Sequence, residues 1–193
     1  PVPASHVMSD LGLDDDSIVT PKHYERLARF LSGWRGQILQ VCRRNRQALF
    51  SYLKSMGVQS GERVAIVDIG WNGTTQETFE RAIQPMMDLD VHGYYFCLAD
   101  TEERLRRQVS HKMKALFSSP SVSTDLISQI YENRVAVELF FSAPHDAVIG
   151  LRCTDDLTIA VEDQGRAQVG QLSEIVSEIL SGMIAFAPTY YAE

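Results

Sequence analysis

The stretch Val64-Ala65-Ile66-Val67-Asp68-Ile69-Gly70-Trp71-Asn72-Gly73-Thr74-Thr75-Gln76 decides the fold. An apolar run of strand length reaches an acid, passes two glycines, an Asn and two Thr, and opens into a helical pattern. The near-continuous apolar residues from Val64 to Ile69 predict a strand covered on both faces, as in a parallel sheet. The turn that follows puts Gly73, Thr74 and Thr75 at a helix N-terminus. Unpaired N–H groups and the helix dipole favour an anion there. Thr74-x-x-Glu77 reads as a capping box.

Downstream, Phe79, Ala82 and Ile83 give that helix an apolar side, and Pro85 ends or kinks it. Val91 to Leu98 is the next strand, at a spacing of about 30 residues that suits a right-handed crossover between parallel strands. Thr101 starts a charged helix, and Lys112 to Phe117 is a short strand. Asp125 to Phe141 reads as one long helix closed by Pro144. Val148 to Cys153 and Leu157 to Val161 form a hairpin around Thr154-Asp155-Asp156. A strongly periodic last helix carries Leu172, Ile175, Val176, Ile179, Leu180, Met183 and Ile184, with Pro188 as its stop.

Upstream, Thr20-Pro21 is a helix start, and the stripe Leu27, Phe30 and Leu31 runs to the break at Ser32-Gly33. A second helix spans about Arg35 to Met56, with Gly57 as its C-terminal stop. The predicted organisation is a loose segment 1–20, a helical segment 21–57 and a domain 58–193. The predicted class is α/β: a mostly parallel, Rossmann-like sheet covered by helices, preceded by the N-terminal helical segment.

Composition narrows the function. The 193 residues are 45% hydrophobic and 22% charged, as in an ordinary folded domain. A net charge of −7 argues against general nucleic-acid binding, and the basic cluster Arg43, Arg44 and Arg46 is local. Cys42, Cys97 and Cys153 form no CxxC pair, so the reading is buried free thiols in a reducing cytoplasm. No apolar run approaches the ~18 residues of a membrane span. The start, Pro1 to His6, lacks the features of a signal peptide. Without an initiator Met, the chain is expected to be processed or part of a longer protein.

The candidate catalytic residues are Asp68, Glu138 and His145. Asp68 ends a central strand, where ligands gather in open α/β sheets; it would hold a divalent metal, accept a sugar hydroxyl or act as a base. Its structural role would be to fix the turn. Glu138, within Val135-Ala136-Val137-Glu138-Leu139-Phe140-Phe141, is expected to be partly buried, as a poised acid or as a salt bridge to Arg134. His145 follows Pro144 at a loop mouth, where it is either catalytic or simply solvated. The candidate ligand-binding residues are Gly70, Trp71, Asn72, Gly73, Thr74, Thr75 and Gln76. Trp71 would stack on a sugar or base, or plug an apolar pocket. The loop is neither a Walker A sequence nor GxGxxG.

Together with Glu138-Leu139-Phe140-Phe141-Ser142-Ala143-Pro144-His145, the opening stretch resembles the region following the haloacid-dehalogenase-like (HAD) domain in bacterial proteins linked to surface-polysaccharide synthesis. There a D-I-G-W-x-G-[ST]-x-Q motif precedes an E-L-F-x-A-P-type motif. Asp68, Gly70, Trp71, Gly73, Thr74 and Gln76 match the first motif, and Glu138 and Pro144 the second. The resemblance covers about residues 35–155. It implies a companion α/β domain with a fused or associated HAD or glycosyltransferase domain as partner. The HAD signature D-x-D-x-[TV] is absent, since no apolar strand precedes Asp14-Asp15-Asp16, so phosphatase chemistry is not implied. The strand, acid and Gly-Thr-Thr are also similar to the ribose-phosphate loop of type I phosphoribosyltransferases. There Ile69 replaces the usual second acid.

The leading expectation is a domain binding a sugar phosphate or nucleotide sugar in bacterial glycan assembly. The alternatives are a non-catalytic interaction or scaffolding domain and a phosphoribosyltransferase-like enzyme. The residues leave binding and catalysis both open.

Overall fold

The structure is a computed structural model that describes residues 9, 11–12, 18–143, 148–154, 159–163 and 169–191. It divides into two units, Pro1–Asn45 and Arg46–Glu193.

The first unit is helical. A 3-10 turn, Pro21–His23, leads into α1 (Tyr24–Gly33). Thr20 starts it as expected, its N–H donating to His23 Nδ1 at 3.0 Å. A new helix, α2 (Arg35–Ser55), begins past the Ser32-Gly33 break and runs into the second unit. It stops at Gly57, whose φ is +87°.

The second unit is built on β1 (Arg63–Trp71), α3 (Thr74–Ile83), β2 (Asp90–Leu98), α4 (Glu102–Ser110) and β3 (Lys112–Phe117). The three strands pair in parallel in the order β1-β2-β3 and are flanked by helices. The α/β class and the βαβ crossovers therefore match the sequence reading, but β1, which carries Asp68, is an edge strand rather than the central one expected. A separate two-stranded antiparallel sheet joins β4 (Val148–Cys153) to β5 (Ile159–Asp163). The turn Asp155-Asp156, like Pro144 and Asp14-Asp15-Asp16, lies outside the described residues.

Three further readings are corrected. The strand β1 is not covered on both faces: Ala65 and Val67 are exposed, while Val64 and Ile66 are half-buried. The expected long helix from Asp125 is two helices, α5 (Thr124–Glu132) and α6 (Arg134–Phe140). Asn133 breaks it, its side chain donating to the Gln129 carbonyl at 2.8 Å, which competes with the helical ladder. The last helix, α7 (Val169–Tyr191), runs past Pro188. A proline there withdraws one donor within the final turn and leaves the remaining bonds in place.

The helix α4 is inside out. Arg104 and Arg107 are buried, while Leu105 and Val109 face solvent. Arg104 is satisfied by the Ala99 carbonyl, Gln108 and Asp100, so its buried charge is both paired and hydrogen-bonded. The core around the sheet holds Tyr95, Leu98 and Met113.

Candidate functional site

The loop after β1 is shaped by two glycines. Gly70 has φ +144°, and a Cβ there would overlap the Cys97 carbonyl of the neighbouring strand. Gly73 has φ +72° and caps α3, with the Met113 side chain filling the space a Cβ would need. The cap is thus Gly73 rather than Thr74, and the expected capping box is not formed. Glu77 instead accepts from Arg107 Nε at 2.6 Å and from Arg81 at 3.2 Å. The Arg107 hydrogen bond holds its carboxyl below the ordinary carboxylate range, with Arg106 and Arg81 adding to this against partial burial.

The loop's polar groups are largely engaged by the protein itself. Asn72 Oδ1 accepts from Thr101 at 2.6 Å, and its carbonyl accepts from Arg107 at 3.3 Å. Gln76 is fully buried. Its Nε2 donates to Glu80 at 2.8 Å and lies 3.4 Å from both the Val91 and Lys112 carbonyls. Its Oε1 accepts from the Tyr95 hydroxyl at 2.9 Å. A ligand-binding role for Gln76 is corrected on this ground: no polar atom is left for a guest, and the side chain pins α3 to β2 and β3.

Trp71 donates its indole N–H to Glu138 Oε1 at 2.8 Å and meets the Tyr131 ring edge-on, with centroids 5.8 Å apart. Glu138 is exposed, so the expectation of a partly buried acid is corrected. Its alternative partner is corrected too. Arg134 donates to the Tyr131 carbonyl and stacks 4.9 Å from the Tyr131 ring, leaving the indole as the partner of Glu138. His145 lies outside the described residues.

What stays open is the start of α3. Thr74 and Thr75 are exposed, and no side chain caps the helix. Asp68 is half-buried, and its Oδ2 is buried with no hydrogen-bond partner among the described residues. A buried carboxylate oxygen without a donor is costly, and a hydroxyl or cation would relieve it. Among the described residues no group of three or more His, Cys, Asp or Glu gathers to hold a metal. Asp68 alone offers a single carboxylate.

Compared with known proteins, the chain matches no protein-family model and no curated protein. The site is therefore described by its own geometry.

Thr101 and Arg107 were not among the candidates, yet both grip the loop at Asn72. In the sequence they are the start and end of a charged helix. The only available signal is that Arg104 and Arg107 stand three apart on one face.

Among the described residues no helix is long and apolar enough to cross a membrane.

Proposed function

We propose that the α/β domain binds a phosphorylated sugar or nucleotide sugar at the loop following β1, as a companion domain in bacterial HAD-associated surface-polysaccharide synthesis. The observation that supports this most directly is the first turn of α3. It follows the carboxyl end of a parallel strand, has no side-chain cap, and exposes Thr74 and Thr75. In this reading the N–H groups and hydroxyls of that turn take the phosphate. The half-buried Asp68 carboxylate accepts a sugar hydroxyl, and Trp71, held by Glu138, stacks on the sugar. Glu138 is then a positioning residue. The motif resemblance supports the carbohydrate part of the proposal. The free thiols support a cytoplasmic setting, although only Cys97 is buried as expected and Cys42 and Cys153 are exposed.

A thermal-shift series against sugar phosphates, nucleotide sugars and inorganic phosphate tests it. A ligand at one hundred times its Kd adds about 2.7 kcal/mol of stability. Thr75→Glu puts an acid on an exposed position of the first turn, where the helix tolerates it. The expected result is a shift in the native protein that vanishes in Thr75→Glu at unchanged fold. No shift with any of these ligands overturns the reading.

A further inference from the structure

We propose that the uncovered face of the β1-β2-β3 sheet is the seat for the C-terminal part of α7 from a second copy of this chain. The strand register places Val67, Tyr94 and Lys114 in one cross-strand row and Val67 next to Ile69 on the same face. Val67 is 84% exposed and Leu116 73% exposed. Parallel sheets bury both faces, so such a face lacks its cover. It forms an open groove of about 530 Å³, lined by Val67, Ile69, Tyr94, Phe96, Leu116 and Phe141, with Asp68 and Tyr95 also reaching it.

The same chain carries a surface of matching shape. From Ser181 to Thr189, α7 is exposed on all sides, with Ile184 72% and Phe186 64% exposed. A helix apolar all round is stable only when something covers it. Three strands about 4.8 Å apart give a face roughly 10 Å broad, the diameter of one helix. The charges are complementary as well. Asp90 engages Arg63, His92 and Lys112, which leaves Lys114 with no ion pair among the described residues. The helix α7 holds Glu174 and Glu178, both exposed and unpaired among the described residues, and no Lys, Arg or His. A reciprocal exchange of α7 ends buries both surfaces twice in one closed, two-fold dimer.

The test is sedimentation equilibrium on the full chain and on variants at exposed positions, with circular dichroism to confirm the fold. The native chain is expected to dimerise. Leu116→Glu and Phe186→Glu should each weaken the dimer by more than about tenfold in Kd. An equimolar mixture of the two variants should dimerise again, because one intact face and one intact helix then meet. A native chain that stays monomeric overturns the proposal and leaves the face to another protein. A dimer indifferent to both substitutions also overturns it. Ligand shifts measured on the monomeric variants keep this outcome separate from that of the binding loop.

Discussion

The indole N–H of Trp71 meets the carboxylate of Glu138 at 2.8 Å, joining two residues 67 positions apart in the chain. The bond ties the β1 loop to α6 and sets the angle at which the ring leaves the loop. It lies at the surface, so it contributes modestly to stability. A double-mutant cycle with Trp71→Phe and Glu138→Ala should give a coupling of about 0.5–1 kcal/mol in urea unfolding. In the proposed reading Glu138→Ala also weakens sugar binding without abolishing it. A coupling of zero would show that the bond does not persist in solution.

Asp68 offers a sharper contrast. Its Oδ2 is buried without a donor among the described residues, so the carboxylate costs stability. Asp68→Asn should leave the melting temperature unchanged or raise it, while the ligand-induced shift is lost. Groups kept at a cost to the fold are the ones function retains. A destabilised Asp68→Asn variant would instead assign the acid to holding the turn.

Gln76 behaves in the opposite way. Replacing it by Ala strands the Tyr95 hydroxyl, removes a donor shared by two strand carbonyls and opens a cavity in the core. The expected loss is about 2–4 kcal/mol, read from the urea midpoint at constant m. A loss below about 0.5 kcal/mol would show that the pin is dispensable.

The pH dependence has two limbs. Glu77 and Asp90 are held below their ordinary values of 4.5 and 3.8, chiefly by hydrogen bonds from Arg107 and Lys112 respectively. Their stabilisation is present above those values and is lost as the pH falls through the acid range. Burial, with the Asp68 and Glu80 charges adding to it, pushes the Tyr95 hydroxyl from 10.0 up to about 12. Between pH 10 and 12 the unfolded chain gives up a proton that the folded protein keeps. Stability is therefore full below pH 10 and declines towards pH 12. Urea midpoints across this range should show the decline, and Tyr95→Phe should flatten it. An alkaline limb unchanged in Tyr95→Phe would assign it to another group.

Local pattern carried the framework. The strand Lys112–Phe117 and the helix from Arg35 were legible because apolar spacing and flanking breakers agree there with the tertiary contacts. The inverted face of α4 was not legible. Hydropathy would turn Leu105 and Val109 inward, but Glu77, Asp100 and Gln108 supply hydrogen-bond partners that draw Arg104 and Arg107 in. No periodicity reports such partners. The same limit explains Glu138. Its apolar neighbours suggested burial, but the break at Asn133 starts a new helix whose register leaves the carboxylate outside. Within the site, the sequence located the loop at Gly70–Thr75, since glycines and an acid after a strand are local signals. It could not show that Gln76 is spent inside, because its partners lie up to 36 residues away.

That single amide also governs how the domain opens. Because it touches both β2 and β3, α3 cannot lift off while either ladder stays satisfied, and neither strand can slip while the helix is docked. Amide protons in all three elements should therefore exchange with one shared protection energy, as a single cooperative unit rather than three independent ones.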